Sequence, residues 1–343
     1  MDRFSSLPLQ RPSVPLEIIV EITGRCRQVC PYCTGPRIPD VPFKDIKAAL
    51  DEAAGLGVRA IRITGGEPTL HPDIRQILTY TKAKKFDIIL NTSADNISAA
   101  LMKTIIATVD VAHVSLQGYD EKNNASYTRS KVPFLDKIKN IFLLKAYLPT
   151  LWIATVITPA KPLKPFIPII KKIRPAAWLL QRPISESNED LKKMDIPYYR
   201  ALALEIMKLR KERINAFISN PIPLCVAGNL DIGQQVFLGA KLDEGHLRIV
   251  RSAKGYFKPN YFLETNLGRT LQAAWQHPFL NDLNRTDYLP DDCQRCPLLE
   301  TCRGGSRSMA LRTHGTPLAA DPLFDASTAR RALSKYDPKP QRL

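Results

Sequence analysis

Apolar residues recur along the first two thirds of the chain in two alternating rhythms. Short runs at Leu16–Thr23, Ala60–Thr64, Phe86–Asn91, Val111–Leu116, Leu151–Ile157 and Ala177–Gln181 have the length and β-branched content of strands. Between them, residues 43–55, 72–84, 97–108, 132–147 and 164–173 place apolar positions at helical spacing. The first of these helices starts behind Pro42 and stops at Gly55 and Gly57, which are natural start and stop signals. Strand and helix in repeated series predict an α/β fold, with a parallel sheet and right-handed crossovers curled into a partial, TIM-like (β/α)6 barrel. A closed eight-unit barrel needs about 250 residues, and the rhythm ends sooner.

The texture then changes. Residues 184–196 are polar and read as a loop, and a long helix is expected near 197–217. Beyond Pro221 and Pro223 come glycines, turns and short strands, with one helix near 269–276. These shifts divide the chain into an N-terminal extension (1–15), the barrel (16–220), a smaller domain (221–322) and a tail (323–343) that is briefly helical near Ala329. No repeat of 20–50 residues is visible.

Composition narrows the function classes. No apolar run approaches the roughly 20 residues of a membrane span, and the first 15 residues lack the layout of a signal peptide. A cytoplasmic, reducing setting is expected, with no membrane contact. The net charge of +16, from 49 Lys and Arg against 33 Asp and Glu, is dispersed over the predicted helices. A solvated basic surface that attracts anionic ligands explains it better than a nucleic-acid site. Seven cysteines in a reduced compartment point to metal ligation. Their grouping supports this, with three at 26, 30 and 33, one at 225, and three at 293, 296 and 302.

The first group, Cys26-Arg-Gln-Val-Cys30-Pro-Tyr32-Cys33, follows the first strand, where barrel loops build active sites. Structural zinc wants four ligands, and no histidine completes this set nearby. Four-iron clusters usually take four cysteines, so three thiolates leave one iron open. The spacing, with Tyr32 before the last cysteine, resembles the radical S-adenosylmethionine (SAM) superfamily. The resemblance covers most of residues 16–220 and implies a 4Fe-4S cluster that binds SAM at its open iron. It also implies reductive cleavage of SAM to a 5′-deoxyadenosyl radical that abstracts hydrogen from a substrate. Gly65-Gly66-Glu67-Pro68, after the second strand, resembles the family's glycine-rich motif for the SAM amino group. Two glycines allow close backbone approach, and a carboxylate accepts from an ammonium. Later strand ends offer Asn91 and Ser93 for the ribose, Ser115 and Gln117 for SAM contacts, and Arg129 for its carboxylate. Gln117 stands where Asp is common in similar enzymes.

Cys293, Cys296 and Cys302, spaced C-x2-C-x5-C, resemble the SPASM/twitch extension of such enzymes, which carries auxiliary clusters. Ser306 and Phe324 occupy two places where further cysteines would fall, so one auxiliary 4Fe-4S cluster is expected, with Cys225 as its fourth ligand and Asp321 as the alternative. Arg182 and the Arg303–Arg307 stretch are candidates for an acidic group, although a turn around the cluster explains the latter equally well. The five histidines receive no catalytic role. The resemblance favours a ribosomally made peptide as substrate. It also implies a one-electron donor such as flavodoxin or ferredoxin and, since the first strand starts at residue 16, any leader-peptide-binding module as a separate protein. A small-molecule substrate of cofactor, haem or sugar type is the second reading. A zinc-dependent nucleic-acid binder is the third, and it leaves the βα repeat and the glycine motif unexplained.

Overall fold

The computed structural model describes residues 10–33, 35, 38–95, 97–184, 193–242 and 245–336. The predicted loop at 185–192, the start of the N-terminal extension and the end of the tail lie outside them. All six expected strands form: β1 (Glu17–Glu21), β2 (Ala60–Thr64), β3 (Asp87–Thr92), β4 (Val111–Ser115), β5 (Thr150–Val156) and β6 (Ala177–Gln181). They pair in parallel and in chain order, with β1 against β2 in the register Glu17 to Ala60. The helices between them are α1 (Phe43–Gly55), α2 (Ile74–Ala83), α3 (Ala99–Thr108), α4 (Glu121–Thr128), α5 (Phe134–Tyr147) and α6 (Ile167–Ile173). Helix α4 escaped the periodicity analysis because its Glu-Lys-Asn-Asn-Ala-Ser-Tyr-Thr sequence has almost no apolar face. The Asp120 carboxylate starts it by accepting from Asn123 N at 2.7 Å.

The sheet is larger than six strands and stays open. Helix α7 (Ile196–Lys211) ends six residues before the predicted 217, and β7 (Ala216–Ile218) follows and pairs with β6. Burial of all three β7 residues overrides the helical pattern there. At the other edge, β8 (Arg248–Arg251) runs parallel to β1, and β9 (Phe257–Lys258) turns back against β8. The order is β7-β6-β5-β4-β3-β2-β1-β8-β9.

Alternation along each strand separates two interiors. Ile61 and Ile63, Ile88 and Leu90, and Ile153 and Leu180 face the helices in one continuous core. The opposite, concave face carries a smaller core of Ile89, Val111, Trp152, Ala177, Leu179, Phe217 and Leu238. Toward β1 and β2 this face turns polar. Arg62 donates to Glu17 at 2.6 and 3.2 Å and to Asn91 at 3.1 Å. The strands are therefore not uniformly apolar, because half of this concave face serves a cavity.

The chain beyond residue 220 is fastened to the barrel by a buried bidentate ion pair. Arg182, at the end of β6, meets Asp321 at 3.0 and 3.2 Å, with side-chain exposures of 2% and 0%. Asp321 also accepts from Ser306 N and Leu323 N. Breaking one side of such a pair strands a buried charge. Asp321→Ala is expected to cost about 3–5 kcal/mol, seen as a lowered Tm. The double replacement Arg182→Met/Asp321→Leu should recover most of the loss.

Candidate active site

A cavity of about 350 Å³ opens at the carboxyl ends of the parallel strands. Of the residues singled out from the sequence, Cys26, Cys30, Tyr32, Cys33, Gly65, Gly66, Glu67, Asn91, Ser93, Ser115 and Gln117 line it together. Two do not. Pro68 is buried at the start of the turn Pro68–Leu70, where its fixed φ directs the chain. Arg129 is exposed, with φ 51°, where it ends α4.

The cysteine loop is pinned at several points before any cofactor is considered. Gly66 N donates to Thr23 O at 2.7 Å and Glu67 N to Arg25 O at 2.6 Å. A Cβ on Gly65 would sit 2.3 Å from Thr23 O, and one on Gly66 would sit 2.3 Å from Arg25 O. The two glycines thus let β2's end lie against the root of the loop, and Gly65 also adopts φ 154°. The sequence suggested that they make room for a ligand; the structure shows them making room for the chain. Further along, Val29 N donates to Thr128 O at 2.9 Å, and Gln28 Nε2 donates to Asp95 Oδ2 at 2.6 Å. Asp95 is itself held by Lys137 at 2.9 Å in an ion pair almost fully buried.

Within the loop, Cys26 Sγ accepts from Gln28 N and Cys33 Sγ from Gly35 N, both at 3.4 Å. Cys26 reaches solvent at the cavity mouth, yet its protein side is desolvated, and burial pushes its thiol up to about 11. Burial raises Cys30 as well. Such thiols ionise readily only when a metal takes the place of their protons. Among the described residues, no three His, Cys, Asp or Glu side chains are gathered as a single metal ion would require. A cubane spreads its irons and asks its thiolates only to ring a cavity, which these three do. The Tyr32 hydroxyl is buried beside them, within reach of the Cys30 thiol. The three thiols around one cavity, with a buried hydroxyl beside them, fit an iron–sulfur cluster with a ligand next to it.

Glu67 is 6% exposed and already well occupied. Its Oε1 accepts from Thr69 N, Thr69 Oγ1 and Thr92 Oγ1, and its Oε2 accepts from Ser93 N at 2.6 Å. A carboxylate offers about four acceptor directions, two per oxygen, so Oε2 retains one for a cationic ligand. Gln117 is buried, with its Oε1 accepting from Val156 N at 2.9 Å.

Sequence reading missed three groups, of which His113 and Tyr261 line the cavity and Lys161 lies behind its wall against Gln117. Lys161, in the loop after β5, is 3% exposed, and its Nζ lies 3.7 Å over the Tyr127 ring and 3.4 Å from Gln117 Oε1. Burial pushes its ammonium down to about 7. Only its place at a strand's carboxyl end could have flagged it. His113, on β4, faces the cavity with its Nδ1 2.9 Å from Arg62 Nη1 and its ring edge-on to Trp152. Tyr261 Oη accepts from Asn91 Nδ2 at 3.5 Å. Arg182 also lines the cavity, but Asp321 already takes its fork, which corrects its expected role with an acidic ligand.

The second cysteine group lies in a separate pocket. Cys225, Cys293, Cys296 and Cys302 line one apolar pocket with Leu224, Leu230, Phe324 and Leu333. Cys302 Sγ accepts from Leu224 N at 3.4 Å, and burial pushes Cys293 up to about 12 and raises Cys225, Cys296 and Cys302. Asp321 is committed to Arg182 and two backbone amides, so the alternative that made it a cluster ligand fails. Arg303 and Arg307 donate to carbonyls of Asn284, Arg303 and Gly305, so that stretch is a turn around the pocket.

Residues 20–173 match the Radical SAM superfamily. Curated relatives named PqqA peptide cyclase include those of Methylorubrum extorquens, 34% identical over 124 residues, and Bradyrhizobium diazoefficiens, 32% identical over 115. The matched stretches cover 34% and 32% of this chain, and 32% and 30% of those proteins, so the chain aligns with about a third of each relative. Streptococcus suis SuiB bound to S-adenosylmethionine has a similar fold, with a TM-score of 0.72 at 20% identity over 91% of this chain and 77% of that one. anSMEcpe with bound AdoMet and the Kp18Cys peptide also scores 0.72, at 14% identity over 94% and 96%. At these identities the likeness is one of fold, and it extends past residue 220.

Burial, then Arg62 and Arg248, hold the His113 imidazole down to about 3. The unfolded value is about 6.5, so below it the unfolded chain takes up a proton that the folded state refuses. This contribution is complete above about pH 6.5 and is lost as pH falls toward 3. His113→Asn keeps an acceptor for Arg62 without titrating, and its Tm should fall less between pH 6.5 and 4 than the parent's.

Proposed function

From a chain that carries a radical SAM domain over residues 20–173, we propose an iron–sulfur enzyme that cleaves SAM reductively and modifies a ribosomally made peptide. The observation that carries this reading is the convergence of Cys26, Cys30 and Cys33 with Gly65, Gly66 and Glu67 on one cavity at the strands' carboxyl ends. Cys26, Cys30 and Cys33 would hold a cubane, which would supply the electron for reductive cleavage of SAM and so the means of abstracting hydrogen from the substrate.

The chain's own residues do the rest. Glu67 Oε2 is set to accept from the amino group of SAM, since Thr69, Thr92 and Ser93 already fix the carboxylate's orientation. The Tyr32 hydroxyl, within reach of the Cys30 thiol, adds a polar group to the wall beside the cysteines. Trp152, Val156, Leu179 and Leu238 form the apolar wall that keeps water from a radical, and Arg62, Asn91, His113 and Tyr261 form the polar wall that orients the substrate. Cys225, Cys293, Cys296 and Cys302 fit one auxiliary 4Fe-4S cluster. The division near residue 220 into barrel and auxiliary region belongs to this proposal, with β8 and β9 lent to the barrel's sheet.

A peptide substrate is favoured because the curated relatives are named for peptide cyclisation and a similar fold was solved with a peptide. A one-electron donor of flavodoxin or ferredoxin type is the partner this chemistry asks for. Among the described residues no helix is long and apolar enough to cross a membrane, and a cytoplasmic site is proposed.

Anaerobically prepared protein should be brown, with about eight irons per chain for two cubanes. Cys30→Ala should abolish 5′-deoxyadenosine formation from SAM under strong reductant; retained formation would contradict the cluster assignment. Cys225→Ala should lower the iron content while SAM cleavage stays measurable, and unchanged iron would count against Cys225 as a ligand.

A further inference from the structure

Apart from the central cavity, a second groove runs over the surface between the chain leaving the cysteine loop (Ile38 to Pro42), the first turns of α1, and the turn joining β8 to β9. Ala253 lines both this groove and the central cavity, so the two adjoin at this residue. Arg251, Lys254 and Arg269 line the groove as well.

Arg251 and Arg269 are placed as no pair of surface cations would be for stability. A Cβ added to Gly255 would lie 3.5 Å from Arg269 Nη1 and 3.6 Å from Arg251 Nη1, so both guanidiniums bracket the same open point. Neither makes an ion pair among the described residues. Arg251 donates to Ser252 O at 3.1 Å and lies over the Phe257 ring. The acids nearby are mostly committed elsewhere. Asp40 is held by Arg25 at 2.7 Å, and Glu52 accepts from Leu271 N and Gln272 N. Asp45 and Glu52, which line the groove together with Asp40, attract Arg251 through space, and Arg269 repels it. No carboxylate among the described residues reaches ion-pair distance of either guanidinium, so their mutual repulsion is only partly offset, and an anion seated between them relieves it. Arg251 is fixed by the sheet, since it pairs with Val20 in the register of β8 against β1. Gly255, at φ 88°, leaves the approach clear of any side chain.

We propose that this groove is a second substrate contact, in which Arg251 and Arg269 take a carboxylate side chain of an extended peptide whose reacting residue enters the central cavity past Ala253. The assignment of a peptide rests on the function proposed above, whereas the carboxylate fork rests on the two guanidiniums alone.

The test uses the full chain and a fluorescein-labelled pentaglutamate peptide, with binding followed by anisotropy at fixed ionic strength. Arg251→Gln/Arg269→Gln should weaken binding about tenfold, the loss of one good charge-assisted contact. Lys139→Gln/Lys145→Gln, which removes the same charge from the exposed face of α5, should change it less than twofold. Equal weakening by the two pairs would mean that net charge alone attracts the peptide, and the site would fall. Arg269 is exposed, so Arg269→Glu should fold normally. It sets a carboxylate of the protein's own beside Arg251, and it should raise Tm and weaken pentaglutamate binding at least as much as the double variant. Unchanged binding by Arg269→Glu would also overturn the proposal. These readouts need no SAM turnover, so they are independent of the maturase reading. Groove-dependent binding with no peptide ever modified would remove that reading and leave the carboxylate fork standing.

Discussion

Two backbone amides, those of Gly66 and Glu67, hold the rest of the site in place. They donate to Thr23 O and Arg25 O and so tie the carboxyl end of β2 to the root of the cysteine loop. The approach is possible only because neither glycine has a Cβ; with one, each would collide with a carbonyl 2.3 Å away. Everything that faces the cluster region inherits its position from this seam. Glu67 is delivered next to the cysteines because its own amide is part of it, and Thr92 and Ser93 from β3 then lock the carboxylate. A preorganised acceptor of this kind costs no reorganisation when a ligand arrives.

The open sheet serves two purposes at once. Its convex face is buried under helices and carries most of the hydrophobic driving force. Its concave face is divided between a small apolar core near β4 to β7 and a charged network near β1, β2 and β8. The network is costly to bury, and Glu17, Arg62, Asn91 and His113 offset that cost by satisfying one another. The result is a cavity with one dry wall and one polar wall, suited to holding a reactive species beside a substrate that must be oriented.

The chain after residue 220 is more than an attachment. It contributes β8 and β9 to the sheet, Tyr261 to the cavity and Asp321 to the ion pair with Arg182. From the N-terminal side, Arg11 stacks 4.1 Å over the Trp275 ring, and Trp275 donates to Pro12 O. The second cysteine pocket is therefore rigidly tied to the first. The Arg251 and Arg269 groove lies where the sheet edge supplied by this region meets the exit of the cysteine loop.

Much of this was legible in the chain as written. Strand positions, helix α1 and the cysteine loop follow from local signals: runs of β-branched residues, a proline before a helix, thiols at short spacing. Local signals are short-range, so they survive without knowledge of the fold. The roles of Arg182, Lys161, His113 and the two glycines were not legible, because each depends on atoms brought from distant positions in the chain, as far as the 139 residues between Arg182 and Asp321. Arg182 looks like a ligand-binding cation until Asp321, distant in sequence, occupies its fork. Lys161 looks like one more surface lysine until the barrel buries it beside Gln117 and Tyr127. By itself, the order of residues determined which elements form and which thiols are grouped, since hydrophobic period and spacing are properties of neighbours. Only the tertiary structure decided which polar groups were already satisfied and which still faced open space, because desolvation and pairing are properties of the packed molecule.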